Sequence, residues 1–337
     1  MVNKMYRGKK YLLTCSVLLG MMVLTLTGCT SKEERLKKQE DYRKIGITAM
    51  ESGDYIAAQE AFNKALSESK RIGANEMDIC YYKAAAQFAA GSLTDAIETY
   101  GILLERDDEN GDVYFLRGCV YLKNNEIDKA LKDFSNAVEY AKDDEIYLEI
   151  YHGLSAAGYE AEGQTYLAKA LEKKAGKKAK NYTVKGRIYL LKGQYDSAAE
   201  QLKTAIEKGD VEANLYLAKV YEAMGDTTQA DACIQAYIKE YPESSVAFNQ
   251  KGKQAMESGD YAGAVEYFNK GLALEEVTNE QELRSNLIAA YEYTGDFTSA
   301  KTEMEAYMAD YPDDPAARRE SLFLNRGSKM QEDTETE

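Results

Sequence analysis

The 337-residue sequence has no tryptophan, one histidine and three prolines. Each scarcity excludes something. With His152 alone, neither a histidine relay nor a multi-histidine metal site can be assembled, and no cofactor is called for. No G-x-S-x-G elbow, phosphate-binding P-loop or C-x-x-C pair occurs either. Pro242, Pro312 and Pro315 all fall late in the chain, so helices elsewhere can run uninterrupted. Positive charge is also scarce: the formal net charge is −15, a surface that repels phosphate backbones and excludes nucleic acid as a partner.

What is abundant is repetition. Ser245 to Glu276 reads as two amphipathic helices joined at Gly259-Asp260. Counted from Gly259, small residues stand seven places back at Gly252, five on at Ala264 and twelve on at Gly271, with an aromatic nine on at Phe268. The same offsets recur. Ala49 to Tyr55 and Ala255 to Tyr261 both read AMESGDY, and Phe-Asn-Lys follows each at matching distance.

This pattern resembles the tetratricopeptide repeat, a helix-turn-helix unit of about 34 residues. About eight units fit the spacing. The first is marked by Gly46, Gly53, Ala58, Phe62 and Ala65, and the third by Gly118, Tyr121, Ala130, Phe134 and Ala137. Gly186, Gly193 and Ala198 mark the fifth, while Ala218, Gly225 and Ala230 mark the sixth. The second has Ala84, Gly91 and Tyr100, and the eighth Tyr291, Gly295, Ala300 and Met304. The fourth, near Gly158, Gly163, Leu167 and Ala170, departs most from the pattern. No unit has the family's Trp, and Tyr114 or Tyr182 stands in its place. The resemblance implies an all-α fold, an α-solenoid wound as a right-handed superhelix over residues 39–313. Asp314-Pro315 then opens a capping helix over 314–327, because a terminal unit has no neighbour for its last apolar face. Residues 328–337 are acidic and nearly devoid of large apolar groups, the composition of a disordered tail.

At the other end, Lys4, Arg7, Lys9 and Lys10 precede an apolar run from Tyr11 to Leu26, the layout of a secretory leader over residues 1–28. Leu26-Thr27-Gly28-Cys29 resembles the bacterial lipobox, which implies a mature chain beginning at a lipidated Cys29 and held to a membrane by acyl chains. Residues 29–38 read as a short charged tether. Cys80, Cys119 and Cys233 fall in helices of different units and read as buried small hydrophobes. Lys169, Lys173, Lys174, Lys177, Lys178 and Lys180 crowd the end of the fourth unit; a solvated face is their plain reading. Gly176 among them marks a candidate hinge near 172–181.

Without a catalytic set, the reading is of a binding surface. In the family the first helix of each unit lines the concave side, at places six, three and two before the turn glycine. Units five to seven then present Arg187, Lys219 and Lys253 as a row of cations, with Glu222, Glu257 and Glu292 near enough to neutralise it. Units two and three present Tyr81, Phe88, Phe115 and Leu122, an apolar wall unless neighbouring helices cover it. Asn249 and Lys253 resemble half of the family's carboxylate clamp, but the preceding units lack the matching pair. The expected role is a non-catalytic scaffold or adaptor, anchored outside the cytoplasm and holding proteins or peptides of the cell envelope. Two alternatives remain at this point: an assembly lipoprotein of outer-membrane or pilus machinery, and a cell-wall enzyme or its obligate regulator.

Overall fold

The computed structural model describes residues 29–324 except 70, 174, 175, 313, 322 and 323. Among these the chain is all-α, with sixteen helices in eight antiparallel hairpins. The first four hairpins are α1 (Cys29–Glu51) with α2 (Tyr55–Ser67), α3 (Ala74–Ala89) with α4 (Leu93–Leu104), α5 (Gly111–Lys123) with α6 (Ile127–Glu139), and α7 (Glu145–Ala156) with α8 (Glu160–Glu172). The last four are α9 (Ala179–Leu191) with α10 (Tyr195–Glu207), α11 (Ala213–Met224) with α12 (Thr227–Glu240), α13 (Ser245–Glu257) with α14 (Tyr261–Leu272), and α15 (Glu280–Thr294) with α16 (Phe297–Asp310). The chain divides into two compact units, one ending at Lys174 and the other beginning at Ala175, with four hairpins in each.

One turn geometry closes all eight hairpins. Its left-handed residue is Gly53, Gly91, Gly158, Gly193, Gly225, Gly259 or Gly295, with φ of 66–86°, and in the third hairpin Asn125 at 60°. Only glycine, and less readily asparagine, enters that region without steric cost. The residue after it donates its N–H to the carbonyl five places back, as from Asp54 to Ala49 and from Asp260 to Ala255, at 2.9 Å in both. Where aspartate follows the glycine it also caps the second helix: Asp54, Asp226, Asp260 and Asp296 accept from the N–H of Ala57, Gln229, Gly263 and Ser299. The Gly-Asp dipeptide thus ends one helix and begins the next.

Within a hairpin the helices meet at a small residue. A Cβ added to Gly46 would lie 2.5 Å from Phe62, one on Gly118 2.6 Å from Phe134, and one on Gly252 2.3 Å from Phe268, each ring fully buried. In the fifth hairpin Leu202 crowds Gly186 in the same way. The fourth hairpin keeps the register through Gly158 but exchanges sizes. Tyr151 stands where six of the others have glycine or alanine and the eighth has Ile288, and Gly163 stands where all the others have alanine; a Cβ there would lie 3.0 Å from the Tyr151 ring.

Each unit has its own core. In unit 1 Phe62, Ile79 and Ala86 form one cluster, and Tyr100, Leu103 and Val113 another. In unit 2 the clusters centre on Leu202 and Leu217, on Phe268 and Leu287, and on Ile288 and Met304. Residues 315–321 are helical beyond α16. Asp314 accepts from the N–H groups of Ala316 and Ala317 and from the Tyr307 hydroxyl, which seats Ala317 and Leu324 over Ile288, Ala300 and Met304. The leader over 1–28, Gly327 and the tail over 328–337 lie outside the described residues.

Two features of the sequence take a different form in the fold. Residues 29–38, read as a tether, are the opening turns of α1. Ser-Lys-Glu-Glu-Arg-Leu-Lys-Lys is made of helix formers, and Glu34 pairs with Lys38 at 3.3 Å one turn on. The lysine run is partly engaged within unit 1: Lys173 donates to Asp144 at 2.6 Å, and Lys169 lies over the Tyr166 ring. Cys80, Cys119 and Cys233 are free thiols, all raised in pKa by burial, Cys119 to about 12.

Glu292, near the end of α15, has its carboxyl pushed up to about 7 by burial, then by the charge of Glu320 on the terminal helical segment and a hydrogen bond with it. Because the folded carboxyl holds its proton to higher pH than an unfolded one near 4.5, stability falls as pH rises from about 4.5 to 7. The melting temperature of Glu292→Gln should therefore match wild type near pH 5 and exceed it at pH 8; a difference that stays constant across that range would refute the assignment. For the helix contact, Gly252→Ala should lower stability by about 1–3 kcal/mol in urea denaturation, and adding Phe268→Leu should recover most of the loss. No recovery would mean that the ring is not what the new methyl meets.

Candidate protein-binding surfaces

The shared turn gives all first helices one register, so residues at equal distances before it form rows across neighbouring hairpins. In unit 2 the row six places before the turn holds Arg187 on α9, Lys219 on α11 and Lys253 on α13. The Arg187 guanidinium lies 4.8 Å from the centre of the Tyr216 ring, and the Lys219 ammonium 5.9 Å from the same ring. Tyr216 thus sits against two successive cations, close enough for its π-face to favour both. Lys219 is exposed, and among the described residues no carboxylate lies within ion-pair distance of it. Lys253 meets Glu282 of the next hairpin at 3.8 Å, a half-exposed pair that solvent screens.

The acids expected to neutralise this row are placed otherwise. Glu222 and Glu257 are exposed and form no ion pair with Lys219 or Lys253, and Glu292 faces Glu320. The acid that does reach the row is Glu282, from the following hairpin. Asn249 is buried, and its side-chain carbonyl accepts from Asn286 at 2.9 Å. It ties the seventh hairpin to the eighth and, being buried, exposes little to a ligand carboxylate.

In unit 1 the apolar wall divides. Leu122 is buried, with little surface to offer. Tyr81 and Phe88 are half-buried against the cluster around Tyr100 and Leu103, and Phe115 lies against Phe134 with ring centres 6.0 Å apart. Their inner faces belong to the core, and their outer edges remain at the surface. Ion pairs flank them. Arg43 donates to Asp78 of the next hairpin at 2.6 Å, and Arg117 makes a two-point pair with Asp133 at 2.7 and 2.8 Å. The Asp133 bond, then its charge, outweigh the burial of the Arg117 guanidinium and raise its pKa further. His152 is exposed beside the Tyr151 ring at 5.2 Å.

Tyr216 and Glu282 are the members of these surfaces that the sequence reading missed. Tyr216 was within reach, since it lies three residues before Lys219 on the same helix face. Glu282 was not, because it meets Lys253 only once two hairpins are stacked. Among the described residues no group of three or more His, Cys, Asp or Glu side chains is placed to hold a metal ion, and no helix is long and apolar enough to cross a membrane.

No curated protein matches this sequence. Among solved structures the chain is similar to a tetratricopeptide repeat protein from Parabacteroides merdae, at 18% identity and a TM-score of 0.47, over 77% of this chain and 99% of that one. It is also similar to the human IFIT1 dimer with PPP-AAAA, at 18% identity and a TM-score of 0.41, over 89% of this chain and 82% of that one. A third is the TPR2AB-domain:pHSP90 complex of yeast Sti1, at 18% identity and a TM-score of 0.31, over 75% and 98%. One family profile described as tetratricopeptide repeat matches residues 189–249 and 255–319, and a second of the same description matches 43–112 and 81–146. Those ranges together span more than half of the sequence, and the same hairpin underlies all of them. The chain therefore belongs to the tetratricopeptide repeat family, whose repeats serve as protein–protein interaction scaffolds.

Proposed function

We propose that this chain is an exported lipoprotein that holds partner proteins of the cell envelope on the first-helix faces of its hairpins, without catalysis of its own. Lipid on Cys29 anchors it to the membrane on the extracytoplasmic side, in the outer membrane where a cell has two. The observation that carries the partner reading is the Arg187, Tyr216 and Lys219 arrangement in unit 2, continued by Lys253. It offers cations and an aromatic face on one surface of an otherwise acidic protein, a combination suited to acidic side chains or a terminal carboxylate of a peptide. The outer edges of Tyr81, Phe88 and Phe115 in unit 1 suit an aromatic or aliphatic segment of such a partner. The helical start of α1 supports the anchoring geometry: ten residues from Cys29 to buried Gln39 would set the first core about 15 Å from the acyl-bearing residue.

Two experiments test the parts separately. Replacing Arg187, Lys219 and Lys253 by Glu should cut recovery of envelope partners in a crosslinked pulldown by at least about tenfold while the melting temperature stays near wild type. Unchanged recovery would remove the cation row from the account, and turnover of wall fragments by the purified protein would replace the scaffold with an enzyme. Cys29→Ala should move the protein from the membrane fraction to the soluble fraction. Retention of the variant in the membrane would point to an uncleaved apolar anchor instead.

A further inference from the structure

Unit 1 contains a cleft whose charge runs against that of the whole chain. It encloses about 670 Å3 between the first and second hairpins, within the range of small-molecule sites. Arg71 reaches it from the connector after α2, Lys83 from α3, and Arg106 from just beyond α4, while Ile72 and Ile102 give it apolar wall. Ile102 is exposed, a large aliphatic side chain left without cover.

Among the described residues lining this cleft Glu76 is the one acid, and both of its oxygens are already engaged. One accepts from the Gln39 amide at 2.8 Å and the other from the N–H of Gly73 at 2.8 Å. Burial alone would raise this carboxyl, but the bonds from Gln39, Gly73 and Ser69 outweigh it and hold the pKa below the usual value. Glu76 is thus an ionised part of the wall, fixed to its own hairpin and the one before it. Among the described residues no carboxylate comes within ion-pair distance of Arg71, Lys83 or Arg106. On a protein with a net charge of −15, cations normally find acidic neighbours. Here three face one concavity with Glu76 as the one described acid in its wall and no ion pair to it, and the low-dielectric walls of a cleft concentrate their field.

We propose that this cleft binds a small amphiphilic anion: a phosphate or carboxylate group carried on a short aliphatic chain. The two guanidinium groups suit the oxygens of such a head group, since each presents paired donors, and Lys83 adds a point charge. Ile72 and Ile102 receive the chain. Its lining shares no residue with the surfaces argued for protein partners.

Decyl phosphate below its micellar range is the probe, with inorganic phosphate as the bare anion, both titrated calorimetrically into the full chain. Decyl phosphate should bind, and inorganic phosphate should bind at least about tenfold more weakly. Arg71→Gln with Arg106→Gln should weaken decyl phosphate by at least about tenfold, and Lys83→Gln alone by a smaller factor. Lys64→Gln with Lys132→Gln removes the same charge from exposed positions outside the cleft and should change nothing. Both pairs weakening the probe equally would show a diffuse charge effect and overturn the site. So would the absence of decyl phosphate binding at about 1 mM, the weak end of specific affinities. Equal affinity for inorganic phosphate would overturn the amphiphile and leave an anion alone.

Discussion

The fold depends on close approach of two helices at one point in each hairpin. In six of the eight hairpins a glycine or alanine seven places before the turn lets the first helix come within contact of a large side chain nine places after it, with no room for a further carbon at Gly46, Gly118, Gly186 or Gly252. Phe62, Tyr100, Phe134 and Phe268, four of the large side chains at this point, are fully buried. An interior packed to crystal density responds to a misplaced methylene, so this contact fixes the hairpin angle rather than merely permitting it. With the angle fixed in each hairpin, the register that aligns residues into surface rows follows.

The turn supplies the second half of that constraint. A left-handed residue at the same place in all eight hairpins orients the second helix identically each time. Arg187, Lys219 and Lys253 form a row for this reason, and Arg43 finds Asp78 across one hairpin step much as Lys253 finds Glu282. Function in such a protein is a matter of which side chains occupy the rows. The backbone offers much the same positions everywhere, and the chemistry differs between units: aromatic edges beside the paired Arg43 and Arg117 in unit 1, and a cation and tyrosine surface in unit 2.

The hairpins could be read from the sequence because their determinants are local. The turn residue, the small residue before it and the large one after it lie within about one repeat. The irregular fourth hairpin turns at Gly158, but its register could not be read from the sequence, because the exchange between Tyr151 and Gly163 becomes visible only with the helices in place. Asn125 escaped notice because it does a glycine's work without being one. The opening of α1 was misread for the opposite reason: a dense run of charges suggested a solvated tether, where helix propensity and the Glu34 to Lys38 pair extend the helix. The surfaces were less legible, since the burial of Leu122, the Asn249 bond to Asn286 and the Glu282 partner of Lys253 are all set between hairpins. A single helix gives no sign of them.

The central claim is that size complementarity between facing helix positions defines the hairpin, including the one where it is inverted. Gly163→Ala in two backgrounds tests this most directly, with stability read by chemical denaturation. In the wild-type background the added methyl meets the Tyr151 ring, so the substitution should bring no gain or a loss. In a Tyr151→Ala background the ring is gone and only the carbonyl of residue 151 at 3.3 Å remains close, so the same substitution should be more favourable than in wild type by about 1 kcal/mol. An identical effect in both backgrounds would contradict the account.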